Sequence, residues 1–228
     1  MQERYLPHLA AAYIRGSAAK GQLSLPAALQ EKPLSALTYN DTETLLQAGK
    51  EAALKLHYFK NHDELPRVKK VMGFLKAIQP ESLLDVGSGR GVFLFPFLCA
   101  FPWVPVTSVD LLPHRVQLME TLRLGGIDTL TALEQDICQW DMPENAFDVV
   151  TLLEVLEHIP DVAAAVKAAV RLARRYVVVT VPSKPDNNPE HIHLLTKDIL
   201  TNLFTQCGCT HLQFDGVNGH LFLAARKE

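Results

Sequence analysis

The chain has 228 residues, 48% hydrophobic and 21% charged, which is enough apolar material for one sizeable core and excludes the composition of a disordered chain. No apolar run approaches the roughly 18 residues needed to span a bilayer. The opening MQERYLPHL lacks the basic-then-apolar layout of a signal peptide, so the expected setting is cytoplasmic.

The net charge of −3 is unevenly spread. Residues 1–80 carry 11 Lys/Arg against 7 Asp/Glu, and residues 81–228 carry 11 against 18. The lysines of the basic part are scattered rather than clustered, which reads as solvated helix faces. Four cysteines include one C-x-C, Cys207 and Cys209, with no second pair, so neither a zinc site nor a disulfide framework is expected.

In chain order, residues 1–40 read as short helical pieces broken by Gly16, Gly21, Pro26 and Pro33. Asp41 to Lys60 reads as one helix, with Asn40 and Glu43 at capping-box spacing and Leu45, Ala48, Ala52, Leu56 and Phe59 on one face. A second helix is expected from Glu64 to Ile78 on a stripe of Leu65, Val68, Val71, Met72, Leu75 and Ile78. Residues 1–62 are accordingly set apart as a helical N-terminal extension, a lid or side wall over a cleft or a homodimer contact, and residues 63–228 as the main domain.

From Glu81 the rhythm becomes strand and helix in alternation. SLLDVG is a buried strand, followed by a helix from about Arg90 to Phe101. VPVTSVD, TLTALEQD, FDVVTLLEV and YVVVTV are further strands, separated by helices over Pro113–Leu124 and Val162–Arg174. Thr196 caps a helix running to Cys207, and HLQFD and HLFLAA, joined through GVNG, read as a terminal hairpin. This order specifies an α/β fold with a doubly wound, mostly parallel sheet.

The loop Asp85-Val86-Gly87-Ser88-Gly89-Arg90-Gly91 joins a buried strand to a helix, where glycines permit a tight turn and close approach to a ligand. Its third glycine comes one residue too early for the dinucleotide fingerprint, which argues against an NAD-dependent oxidoreductase. Asp85, just ahead of the first glycine, would repel a pyrophosphate and suits an ammonium or sulfonium. Asp110, followed by Leu111, ends the second strand and can accept both ribose hydroxyls of an adenosine. Gln135-Asp136-Ile137 ends the third strand, where an acid can meet the adenine amino group.

LLDVGSGRG, VTSVD, EQDI and FDVVTLLEVLEHIPD resemble the successive motifs of class I S-adenosylmethionine-dependent methyltransferases over roughly residues 64–226. The resemblance implies a Rossmann-like, seven-stranded sheet with an antiparallel last strand supplied by the GVNG hairpin. It implies S-adenosylmethionine as cofactor, with Gly87, Ser88 and Gly89 at the methionine part and Asp85 near its amino group. Asp110 and Leu111 would hold the ribose, and Asp136 with the Ile137 backbone the adenine. Leu153 and Glu154 would line the pocket beneath the methyl donor.

Leu153-Glu154-Val155-Leu156-Glu157-His158 offers two carboxylates and an imidazole within six residues, and PEHIHLLT brings His191 and His193. Glu154, His158 and His191 are candidates for acid–base work on the acceptor. Glu154, Glu157, His158 and His191 are equally candidates to hold Mg²⁺ or Mn²⁺. A third reading has Glu157 and His158 simply capping the strand–helix junction. The pattern is similar both to quinone-biosynthesis-type small-molecule methyltransferases and to metal-dependent 2′-O-methyltransferases acting on the terminal ribose of small RNAs. A small-molecule acceptor is favoured, with RNA as the alternative partner, because 7% aromatic residues provide little of a stacking platform.

Overall fold

The strand β1, Leu83–Val86, is buried at all four positions, Asp85 included, as a strand is when parallel neighbours and helices cover both faces of a sheet. The computed structural model describes residues 6–185 and 187–227. Around β1 lie β2 (Val106–Asp110), β3 (Leu130–Glu134), β4 (Phe147–Leu153), β5 (Ala173–Pro182), β6 (His211–Val217) and β7 (His220–Arg226). They form one seven-stranded sheet in the order β3-β2-β1-β4-β5-β7-β6. β7 is antiparallel to both β5 and β6, and the other pairings are parallel. The expected seven-stranded, mostly parallel architecture is the one observed. Strand order reverses between β1 and β4, and a doubly wound sheet opens its ligand crevice at the carboxyl ends of the strands flanking that point.

Alternate residues of the strands feed two cores. Leu83, Val106, Val149 and Val178 face one side, against α4 (Pro66–Ile78), α5 (Leu94–Ala100) and α6 (Pro113–Leu124). Leu84, Val150, Leu152 and Val179 face the other, against α7 (Val162–Leu172) and α8 (Lys197–Gln206). Thr196 caps α8 as expected, its hydroxyl accepting from the Ile199 N–H at 3.3 Å. Among the described residues no helix is long and apolar enough to cross a membrane.

Residues 6–60 fold differently from their expected outline. α1, Pro7–Ala19, runs straight through Gly16. That glycine lies where α1 meets α6, and a Cβ there would stand 1.8 Å from the Thr121 carbonyl oxygen. Its role is close packing, not helix breaking. After a short α2, Ala27–Glu31, the next helix α3 covers only Tyr39–Glu51, followed by a separate 3₁₀ turn, Leu56–Phe59. The capping box is made by Thr38 and Asp41 rather than Asn40 and Glu43. Leu9, Ala10, Ala12 and Phe59 belong to the same core as α4–α6, while Ala11, Ile14, Leu25, Leu29 and Leu45 form a small core of their own.

Candidate active site

Asp85 lies in β1 with its side chain buried on the α4–α6 side of the sheet. Thr151 on β4 donates its hydroxyl to Asp85 Oδ1 at 2.7 Å, and Ser88 Oγ lies 2.7 Å from Ser108 Oγ on β2. Burial pushes the Asp85 carboxyl up to about 6, against the pull of hydrogen bonds from Ser88 and Thr151, and nearby Asp110 adds to the rise. A buried carboxylate that is costly to ionise is a place for a cation to dock.

The glycine loop then turns away from β1. Gly87 donates its N–H to the Val109 carbonyl at 2.8 Å. Gly91 has φ +77° and sits so close to Phe95 of α5 that a Cβ would fall about 2.4 Å from the ring. The early third glycine is thereby explained by packing. Its left-handed backbone also delays the helix, which starts at Leu94 rather than at Arg90.

Asp110 closes β2. Its Oδ2 accepts the Gly89 N–H at 3.1 Å and its Oδ1 the Leu112 N–H at 3.0 Å. Asp136 accepts the Cys138 N–H at 2.9 Å and the Gln139 side chain at 3.0 Å. Each carboxylate keeps lone pairs for a further donor, since two oxygens offer about four acceptor sites. Both acids, with Gly87, Gly89, Leu111, Ile137, Glu154 and His158, line a cleft of about 770 Å³. A smaller cleft of about 190 Å³ is lined by Asp85, Gly87, Ser88, Gly89, Leu153 and Glu154, together with Arg67, Arg90 and Thr180. Every residue expected at the cofactor lines one of the two, and Gly87, Gly89 and Glu154 line both. Among the described residues none before Arg67 lines either cleft.

Glu154 leaves β4 in a left-handed conformation, φ +59°, its N–H donated to the Thr180 carbonyl at 2.8 Å. Its Oε2 pairs with His220 Nε2 at 2.9 Å. The expected four-residue metal set is therefore only partly gathered. Ligand atoms of Glu157, His158 and His191 lie within 4.8 Å of one another, and Glu154 stands outside the group. Nδ1 of His158 lies 2.9 Å from the Glu190 carbonyl oxygen. With the proton on Nδ1, Nε2 carries the lone pair a metal would take. His193 is drawn elsewhere, its Nε2 3.1 Å from the Ile159 carbonyl.

Arg67, Thr180 and His220 were not legible as site residues. Arg67 follows Pro66 in an ordinary amphipathic helix, and Thr180 reads as one more buried strand residue. Only the β5–β7 register, Thr180 opposite Phe222 and Pro182 opposite His220, brings the hairpin to Glu154.

A sheet of this order, with acids at the ends of its first three strands opening onto adjoining clefts, has the architecture of the class I S-adenosylmethionine-dependent methyltransferase domains. Residues 58–214 match the family model described as a methyltransferase domain, and the chain belongs to that family. A ubiquinone biosynthesis O-methyltransferase of Pseudomonas putida is 32% identical over 96 residues, 41% of this chain and 40% of the relative. One from Neisseria meningitidis is 30% identical over 147 residues, 62% of this chain and 55% of the relative. The chain thus spans between two-fifths and just over half the length of these curated relatives. A crystal structure of a SAM-dependent methyltransferase from Aquifex aeolicus shares the fold, with a TM-score of 0.60 at 18% identity over 73% of this chain and 93% of that one.

Proposed function

We propose that this protein transfers the methyl group of S-adenosylmethionine to an oxygen of a small-molecule acceptor. The observation that carries the reading is the pair of joined clefts. The larger, about 770 Å³, is lined by Asp110 and Asp136, and the smaller, about 190 Å³, by Asp85 and Glu154. In this reading Asp85 takes the donor's ammonium, and Arg67 or Arg90 its carboxylate. Asp110 takes the ribose, and Asp136 with the Ile137 backbone the adenine. The reacting methyl lies near Gly87, Gly89 and Glu154, where the clefts meet. Val68, Val92, Phe93 and Leu153 give the smaller cleft an apolar wall beside the reacting groups, which helps to align them and to limit water. Oxygen as the acceptor atom is drawn from the names of the relatives, which are O-methyltransferases.

Titration calorimetry with S-adenosylmethionine and with its demethylated product tests the donor half, and folded protein that binds neither would overturn it. Transfer of a labelled methyl group to small hydroxyl compounds, set beside transfer to RNA, tests the acceptor half.

The cluster of Glu157, His158 and His191 favours a second reading, in which a divalent metal such as Mg²⁺ or Mn²⁺ assists. One buried carboxylate and two imidazoles make a mixed oxygen–nitrogen donor set that suits such an ion. Bound there, a metal would hold and polarise acceptor oxygens. This is the arrangement that a metal-dependent RNA 2′-O-methyltransferase would need. Purified protein without stoichiometric metal, together with activity indifferent to chelators, removes this reading. Salt-insensitive or absent RNA binding removes its RNA form.

A further inference from the structure

Two buried polar atoms at the junction of the clefts are left without hydrogen-bond partners among the described residues: Glu154 Oε1 and Thr180 Oγ1. Both side chains line the smaller cleft. Thr180 is 1% exposed. An unmet buried polar atom is costly, and native proteins keep few of them, mostly where a ligand or water completes the bonding. Neither atom is used by any donor contact described above.

The surroundings fix both groups in place. The Glu154 N–H is bonded to the Thr180 carbonyl at 2.8 Å. The left-handed backbone of Glu154, a strained conformation for a side-chain-bearing residue, re-aims its side chain at the end of β4. The other carboxylate oxygen, Oε2, is clamped by His220 Nε2 at 2.9 Å. His220 Nδ1 lies 3.2 Å from the Asn218 carbonyl across the hairpin turn. Both partners of the imidazole accept, so the ring meets both only with a proton on each nitrogen. The contact holds Oε2 and leaves Oε1 as the carboxylate oxygen without a partner among the described residues.

Resting on the methyltransferase reading above, we infer that Glu154, Thr180 and His220 form the acceptor subsite and that the acceptor group is a hydroxyl. A hydroxyl oxygen offers one hydrogen and two lone pairs. Its hydrogen would donate to Glu154 Oε1, one lone pair would accept from the Thr180 hydroxyl, and the second is left to attack the methyl carbon. The oxygen–carbon bond forms as the carbon–sulfur bond breaks, and the electron pair of that bond goes to sulfur, turning the sulfonium into a neutral thioether. The acceptor proton goes to Glu154 Oε1. A carboxylate is basic enough for this because the oxygen becomes strongly acidic as it is alkylated. Glu154 and Thr180 touch the acceptor, and His220 is a positioning residue.

The test uses the full chain saturated with the demethylated donor product and 4-nitrophenol as hydroxyl probe, whose binding is followed by its visible absorbance. Glu154→Gln should weaken the probe about tenfold, as for a lost bond to a charged acceptor, and Thr180→Val a few-fold. His220→Leu should weaken it about tenfold, and His220→Gln, which keeps an N–H donor, should restore most of that loss. The two His220 variants, at a residue lining neither cleft, should keep donor-product affinity within about twofold, and cooperative thermal melting of all four variants shows that they fold. Equal probe affinity across the variants overturns the subsite. Donor-loaded wild-type protein that ignores the probe also overturns it, while leaving the donor reading intact. Wild-type protein that binds no donor product fails the underlying reading instead.

Discussion

Asp85 carries opposite demands from folding and from binding. Its carboxyl is pushed up to about 6 by burial, against hydrogen bonds from Ser88 and Thr151. A folded-state value raised above the ordinary carboxylate range near 4 means that the group's contribution to stability is complete below about pH 4. That contribution is lost as pH rises through 6, at a cost of about 3 kcal/mol by pH 7. Asp85→Asn should therefore raise the thermal midpoint of the ligand-free protein at pH 7, read by calorimetry or circular dichroism, and an unchanged or lower midpoint contradicts this account. Binding a cationic ammonium needs the ionised form, so affinity for S-adenosylmethionine should fall about tenfold between pH 7 and pH 5, since each unit below the titration point costs about a factor of ten. The asparagine variant should bind more weakly at pH 7 and lose that part of the pH dependence. Asp110→Ala should weaken the donor by about 1–3 kcal/mol through lost ribose hydrogen bonds, and an unchanged calorimetric Kd would remove its ribose role. The acids at strand ends were legible because a charge interrupting an apolar strand boundary has few structural excuses. Thr180 and His220 were not, because their meaning depends on antiparallel register across residues 180–222, which no local spacing encodes.

The elements whose periodicity is set by the sheet could be read closely, and those set by helix–helix contact could not. β1 and β4 fall where their largely apolar runs fall, and β5 contains the run YVVVTV but starts earlier, at Ala173, where the last turn of the preceding helix is expected. The early helices depart from expectation at their glycines and caps. Gly16 looks like a breaker, yet α1 uses it to touch α6. Gly125, just past the end of α6, makes the reciprocal contact, and a Cβ there would stand 1.7 Å from the Ala12 carbonyl oxygen. The sign of a substitution here is decided by magnitude. Gly16→Ala gains about 1 kcal/mol of helix propensity. It also drives a methyl group into backbone, which cannot swing aside as a side chain can, and overpacking of this kind costs about 1–3 kcal/mol. At 1.8 Å the overlap demands that the two helices part, so the loss should prevail. Both Gly16→Ala and Gly125→Ala should lower the urea midpoint, with donor affinity of the folded fraction unaffected because neither residue lines a cleft. A stabilised Gly16→Ala variant would show that α1 can shift freely on α6.

At the scale of the whole molecule, the family match begins at residue 58, whereas the buried core begins earlier. Leu6, Leu9, Ala10 and Ala12 are packed in the same cluster as Leu83, Val106 and Phe222. Phe59, fully buried, stacks on Phe95 with ring centroids 5.2 Å apart, and its carbonyl accepts the Leu6 N–H at 2.9 Å. Phe95 is the ring against which Gly91 of the glycine loop packs. A chain of contacts therefore runs from α1 through Phe59 and Phe95 to the loop that faces the donor. We propose that the extension acts as a buttress of that loop. Removing residues 1–38 would strip α1 from α6 and from Phe59, exposing apolar surface worth about 25 cal/mol per Å². The loss would fall on a domain whose net stability is of the order of 5–15 kcal/mol. The truncated chain should unfold at markedly lower urea concentration than the full chain, with weakened donor binding wherever it remains folded. The point variant Phe59→Ala separates the two effects, since it keeps α1 in place. It should cost about 3–5 kcal/mol of stability, as large aromatic truncations do, and should loosen the glycine loop enough to lower donor affinity. A truncated chain as stable as the full one, with the same Kd, would make the extension an independent appendage.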